Sequence, residues 1–347
     1  MAAAGLWFGH ASCEEPAAAS AAKPWDSVAI LLGTAESRGE ILVGDARGRV
    51  AVMDLASGRH LRFEETAAQA TRFDVTDEAG QRKLALFAAP YSVSSGRITV
   101  LRGRQIVESG GARERVLHEG GVLEDCRFLL YSESGAHFLA GSPDGRLVTF
   151  SAEGKAVVCK HGTGSLGPAA MSANGRLAAV TSKGETWDLL SLPALEPAAH
   201  LVDRLGYPPI LGFVLSQDLK RVAVSHGVIC RVKLFSLTEK GAVGSLKGSF
   251  KVDEPCLAMA FDDNGDRLAL GHLDGSVRLL DSRIQEGEPP RMLKEHSSWR
   301  DHSMPVRGLA FCRATATLVS VSEDGEVVAR SHSGGRVFWK VNAFQSK

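Results

Sequence analysis

The sequence predicts an all-β chain, a seven-bladed β-propeller of four-stranded antiparallel blades, and three observations carry the prediction. Turn signals recur in pairs, each pair enclosing a short apolar run. The plan repeats seven times, at a step close to that of propeller repeats. No segment shows apolar spacing at three and four over ten or more residues, as helical repeats require.

The clearest unit is 261–281, "FDDNGDRLALGHLDGSVRLLD", with turns at Asn264-Gly265 and Asp274-Gly275. Asn-Gly and Asp-Gly pairs between apolar runs mark reversals, because both residues tolerate positive φ. Strands are expected at 257–261, 267–272 and 276–281, with the two turns at opposite ends of one blade. Three such strands leave open edges and need neighbours.

Taken in order, the other copies are 40–55, 83–102, 128–150 with Ser134-Gly135 and Asp144-Gly145, 170–190 with Asn174-Gly175 and Lys183-Gly184, 221–237, and 308–331 with Asp324-Gly325. The second-turn glycines fall at Gly48, Gly96, Gly145, Gly184, Gly227, Gly275 and Gly325, and the outer two are 277 residues apart, about 46 per step. Fourth strands are expected at 59–63, 105–108, 155–160, 242–250 and 336–341. Seven such sheets close into a ring in which each blade buries both faces.

The stretches "DRLALGHLDGSVRLLD" and "TLVSVSEDGEVVAR" resemble the second-to-third-strand core of WD repeats, and "DHSMPVRGLAF" (301–311) resembles the loop that precedes a WD blade. In that family the loop ends in Gly-His; here Asp301 replaces the Gly and His302 keeps its distance from the following strand. The resemblance implies a buried network of His302, Ser320 and Asp324, with Asp324 accepting from the loop around His302. Its fourth member would be a Trp, and that position is Arg330. Departures are general: third strands end in Met53-Asp54 and Leu280-Asp281, Phe150 stands in a Trp place, and Trp187-Asp188 lies early in its strand. The pattern spans nearly the whole chain and the motif only blades three, six and seven, as in a divergent WD-repeat propeller.

Residues 25–347 are expected to form this single propeller, preceded by an Ala/Ser-rich segment, 1–24. "GLWFG" at 5–9 suits an extra strand that closes the ring on the last blade; Glu14-Glu15 and the late first basic residue, Lys23, disfavour a secretory signal. No run of eighteen apolar residues marks a membrane span. The six cysteines contain no Cys-x-x-Cys pair, and five lie in or beside expected strands as small buried hydrophobes. Cytosol or nucleus is the expected location. Forty basic residues balance forty acidic ones, which argues against nucleic acid as partner, and the short clusters at 101–105 and 112–116 read as solvated loops.

The strongest chemical constellation is "KEHSSWRDHS" (294–303), where His296, Asp301 and His302 offer metal ligands or an acid-base pair. Against that, His302 has the structural role above, and Asp144, Asp274 and Asp324 recur once per repeat as turn chemistry demands. With no nucleophile elbow, phosphate loop or His-Glu-x-x-His segment, no catalytic residue, cofactor or metal is assigned.

The expected function is a non-enzymatic scaffold or adaptor whose partners are other proteins or peptides. Loops that depart from the blade pattern are where such a scaffold binds. The longest, 283–304, carries Pro289-Pro290 and the anchor types Trp299 and Arg300; Trp299 packing over its own blade edge is the other reading. In 205–213, Tyr207 precedes Pro208-Pro209, on a connection that also serves to join two blades. Two alternatives stand. "GSVRLLDSR" (275–283) resembles the Trp-Asp-x-Arg box of substrate receptors in cullin-based ubiquitin ligases, with Leu280 in the Trp place and Asp281 and Arg283 matching. A propeller enzyme or GTPase exchange factor would instead use a funnel or loop site. Binding face and oligomeric state are not specified by the sequence.

Overall fold

The structure, a computed structural model, describes residues 28–76, 83–94, 97–109, 114–132, 134, 137–150, 156–160, 168–181, 186–202, 209–227, 231–238, 243–284, 289–333 and 335–345. They form a seven-bladed β-propeller. Six blades are four-stranded and blade five has a fifth strand; a separate two-stranded hairpin joins blades one and two. The strands nearest the axis are Ala29–Ala35, Tyr91–Ser94, Phe128–Tyr131, Ala169–Met171, Ile210–Leu215, Cys256–Phe261 and Val306–Cys312, each against the next, and the last against the first.

The second and third strands of a blade are mostly apolar and buried along their length because both faces are covered. In blade one, Ile41 and Val43 face blade seven while Leu42 faces blade two. One buried cluster fills each of the seven seams, and an eighth lies under the hairpin. This is a period-2 sequence read by two hydrophobic surfaces, which explains the near-continuous apolar runs.

The unit at 261–281 is as expected: Cys256–Phe261, Arg267–His272 and Val277–Asp281 pair in order, and the turns lie at opposite ends. Gly265 and Gly275 have φ of 69° and 85°. At Gly275 a Cβ would also collide with the carbonyl of His302. One face of the disc therefore carries the second turns and the blade-to-blade connections, and the other the first turns.

Two assignments need correction. Blade two does not begin at 83. Lys83–Ala88 pairs with Thr71–Thr76 as the hairpin, and the blade runs Tyr91–Ser94, Arg97–Arg102, Gln105–Ser109, Arg115–Glu119. The stretch 105–108 is thus the third strand, not the fourth, and the second turn is at Gly103, φ 55°, rather than at Gly96. The hairpin has the same alternation as a blade strand, so its sequence imitates one. The stretch 283–304 is also not all loop: Lys294–Trp299 is the outer strand of blade six, and Arg291–Met292 adds in parallel to the outer strand of blade five.

Among the described residues blades seven and one each consist of four consecutive strands, so they meet without exchanging a strand. Among the described residues the seam is spanned by the Ala29 amide, which donates to the Glu323 carbonyl at 2.9 Å, and by side chains. His60 Nε2 bonds the Asn342 carbonyl at 3.0 Å, Trp339 Nε1 donates to the Leu55 carbonyl at 3.0 Å, and the Glu36 carboxylate accepts from the amides of Arg313 (2.8 Å) and Ala314 (3.1 Å). The segment 1–24, with its suggested closing strand, lies outside the described residues.

Candidate interaction surfaces

The polar centre of the seam between blades six and seven is His302. Its connection enters Val306–Cys312, and the following strand, Thr317–Ser322, brings Ser320 beneath it. His302 Nε2 lies 2.7 Å from Ser320 Oγ and Nδ1 lies 3.2 Å from Glu326 Oε2. The neutral tautomer that satisfies both donates from Nδ1 to the carboxylate and accepts the Ser320 hydroxyl at Nε2. Burial pushes the imidazole pKa down, opposed by Glu326, so the neutral form fits the site.

The carboxylate beside His302 is thus Glu326, not Asp324. Asp324 is exposed and closes its own turn, accepting from Ser322 Oγ at 2.6 Å and the Glu326 amide at 3.3 Å. A turn carboxylate this close to two local donors has no reason to reach the imidazole.

Arg330, in the Trp place, is buried, and its guanidinium meets Asp301, in the Gly place, through Nε at 3.0 Å and Nη2 at 2.5 Å. It also lies 4.9 Å from the centroid of the Trp299 ring and donates to the Gly335 carbonyl at 3.1 Å. Trp299 is therefore half-buried in the seam, while Arg300 beside it is exposed. His296 is exposed on the outer strand of blade six, apart from this cluster. Among the described residues no group of three or more His, Cys, Asp or Glu could hold a metal ion.

Asp281 and Arg283 come together on the first-turn face. Arg283 donates to the Asp281 carboxylate through its amide (3.1 Å), Nε (3.0 Å) and Nη2 (2.6 Å), and its side chain stays 66% exposed. The pair holds Asp281 below the usual carboxylate range. Tyr207 lies outside the described residues.

On the opposite face the hairpin lies over one mouth of the central channel. Leu84 and Leu86 bury against Leu211 of blade five, with Leu257 and Leu273 of blade six alongside. From blade seven, Arg307 Nη1 donates to the Ala85 carbonyl at 2.9 Å and its guanidinium stands 5.5 Å from the Phe87 ring centroid. Glu323 holds Arg307 through Nε at 2.7 Å and through Nη2. Sequence reading missed both Arg307 and the hairpin; the available signal was the alternation of "TRFDVT" and the apolar run of "KLALFA" about a polar tip.

Burial raises the Cys126 thiol to about 11 and those of Cys256 and Cys312 to about 12, which disfavours the thiolate form there. No helix among the described residues is long and apolar enough to cross a membrane.

No protein-family model matches the sequence, and no curated protein matches it at a significant level. Solved structures do. Sqt1 of Chaetomium thermophilum, bound to the N-terminus of the ribosomal protein L10, aligns at TM-score 0.60 and 15% identity over 92% of this chain and 88% of that one. Another Sqt1 crystal structure from that organism gives TM-score 0.60 and 15% identity over 90% and 83%. The computationally designed protein Ika8 aligns at 0.62 and 16% identity over 93% and 89%. At such identities the likeness is one of fold: the chain has the architecture of a divergent WD40-like seven-bladed β-propeller.

Proposed function

We propose that this chain is a non-enzymatic scaffold that binds a segment of another protein, and that residues 25–347 act as one unit in the cytosol or nucleus. The observation that carries the reading is the use made of the loop side chains. His302, Asp301, Arg330 and the turn aspartates are all engaged in holding the disc, which leaves its faces as rigid surfaces rather than a reactive centre. The likeness to Sqt1, solved with the N-terminus of a ribosomal protein bound, supports a peptide segment as the class of partner, by analogy of fold.

The test is affinity purification of the full chain from cells, followed by mass spectrometry. A stable, stoichiometric protein partner is expected; recovery of none, together with turnover of a small substrate, overturns the reading. The exposed Arg283, fixed by Asp281, favours the ligase-receptor alternative at one point only. If that alternative holds, Arg283→Ala loses a ligase adaptor and keeps the other partners.

A further inference from the structure

The hairpin 71–88 belongs to no blade. Its two strands pair only with each other, Thr71 opposite Ala88 through Thr76 opposite Lys83. Two strands alone are marginal in water, so its place depends on what it packs against. Both of its ends are fixed on one side of the ring. There the Ala70 amide bonds the Ala46 carbonyl at 2.8 Å, and the Ala89 carbonyl accepts from the Leu129 amide at 3.0 Å. Among the described residues its contacts on the other side include the leucines on Leu211 and its neighbours, the Arg307 guanidinium against the Phe87 ring, and the hydrogen bond from Arg307 to the Ala85 carbonyl.

This is the layout of a hinged flap with a latch. We propose that the 71–88 hairpin is an intramolecular lid that occupies the channel mouth in place of a partner, and that Arg307 is its latch. Beneath the lid are three leucines from blades five and six and a guanidinium, oriented by Glu323, that takes a backbone carbonyl. That surface recognises an extended segment with alternating apolar side chains, which is the chemistry of Lys83–Ala88 itself. The partner is therefore an extended apolar segment of another protein, and it binds by displacing the lid. A mouth that is free only in a minor open state binds with an affinity reduced by the open fraction, so loosening the lid raises affinity. The proposal rests on the scaffold reading for its partner, though not for the lid.

Two measurements on the full chain decide it. Hydrogen exchange compares the unaltered chain with Arg307→Ala. The amides of Thr71–Thr76 and Lys83–Ala88 should exchange at least tenfold faster in the variant, while the inner strands of blades five to seven keep their protection. Unchanged exchange in the hairpin refutes the latch, and equal loosening of the blades makes the hairpin a brace rather than a lid.

The second measurement uses a fluorescent synthetic peptide of residues 71–88 as probe. A chain carrying Leu84→Asp and Leu86→Asp keeps the mouth intact with the lid released, and should bind the peptide at least tenfold more tightly than the unaltered chain. Adding Arg307→Ala to that chain should remove most of the gain. Equal binding by the unaltered and released chains, no binding by either, or failure of the released chain to fold overturns the proposal. Recovery of no partner from cells, together with turnover of a small substrate, overturns the scaffold reading and leaves the exchange result standing.

Discussion

Arg330 and Asp301 form a two-pronged ion pair across the seam of blades six and seven, and each replaces a residue that the WD pattern would have there. The two departures compensate one another: the guanidinium fills the place of an indole, and the carboxylate, where a WD loop has glycine, meets its charge. Removing one partner leaves the other's charge buried, which typically costs about 3–5 kcal/mol. Asp301→Gly should therefore destabilise the chain by about 3 kcal/mol in urea unfolding. Asp301→Gly with Arg330→Trp, which restores the family pair, should recover most of that loss. Additive losses in the double variant would show that the residues are not coupled.

His302→Ala removes the acceptor of the Ser320 hydroxyl and the donor to Glu326 in a buried site. A buried polar group left unsatisfied costs about 1–3 kcal/mol, so the melting temperature should fall by several degrees. Ser320→Ala should cost less, since Glu326 still accepts from the imidazole. An unchanged midpoint for His302→Ala would place this residue outside the network.

The ring was readable in the sequence because its cause is local and repeated. Turn pairs such as Asn264-Gly265 and Asp274-Gly275 fix reversals, and the alternation between them fixes which residues face which seam. Blade two failed on the same logic, because Lys83–Ala88 carries the alternation of a blade strand while its packing partner, Leu211, is three blades away. The polar network was half readable. His302 and Ser320 follow from spacing in the family pattern. Glu326 does not, since its side chain reaches the imidazole only once the strands Thr317–Ser322 and Glu326–Ser331 pair. The lid and Arg307 depend on contacts across the channel, for which one sequence gives no distance.

Gly265 and Gly103 separate backbone strain from lost contact. Both have positive φ, 69° and 55°, and a Cβ at Gly103 meets nothing within 4 Å. At Gly265 it collides with the guanidinium of Arg221, which braces blade five to blade six through the Asn264 carbonyl at 2.9 Å. Gly103→Ala should cost about 1 kcal/mol, the left-handed penalty alone. Gly265→Ala adds a disrupted charged hydrogen bond, for a total of about 3 kcal/mol. Chemical denaturation of the two variants should show that gap, and equal losses would mean that Arg221 carries no strength across the seam.

The last prediction concerns acid. His272, at the end of the second strand of blade six, is buried, donates from Nδ1 to the Glu254 carbonyl at 3.2 Å and has no hydrogen-bond partner for Nε2 among the described residues. Burial pushes its pKa down to about 4; Arg278 adds to this, while the Glu254 carbonyl, Asp274 and Asp253 oppose it. The unfolded chain protonates this side chain at about 6.5, so between these two values the unfolded state holds more protons than the folded one. Stability contributed by the neutral imidazole is then fully present above about pH 6.5 and is lost as pH falls toward 4. From pH 7 to pH 5 the loss from this residue should be about 2 kcal/mol, and His302, lowered by burial as well, adds to it in the same direction. His272→Gln should flatten the slope of unfolding free energy against pH in that window. A slope unchanged by the substitution would mean that His272 already titrates normally in the folded chain, with water reaching Nε2.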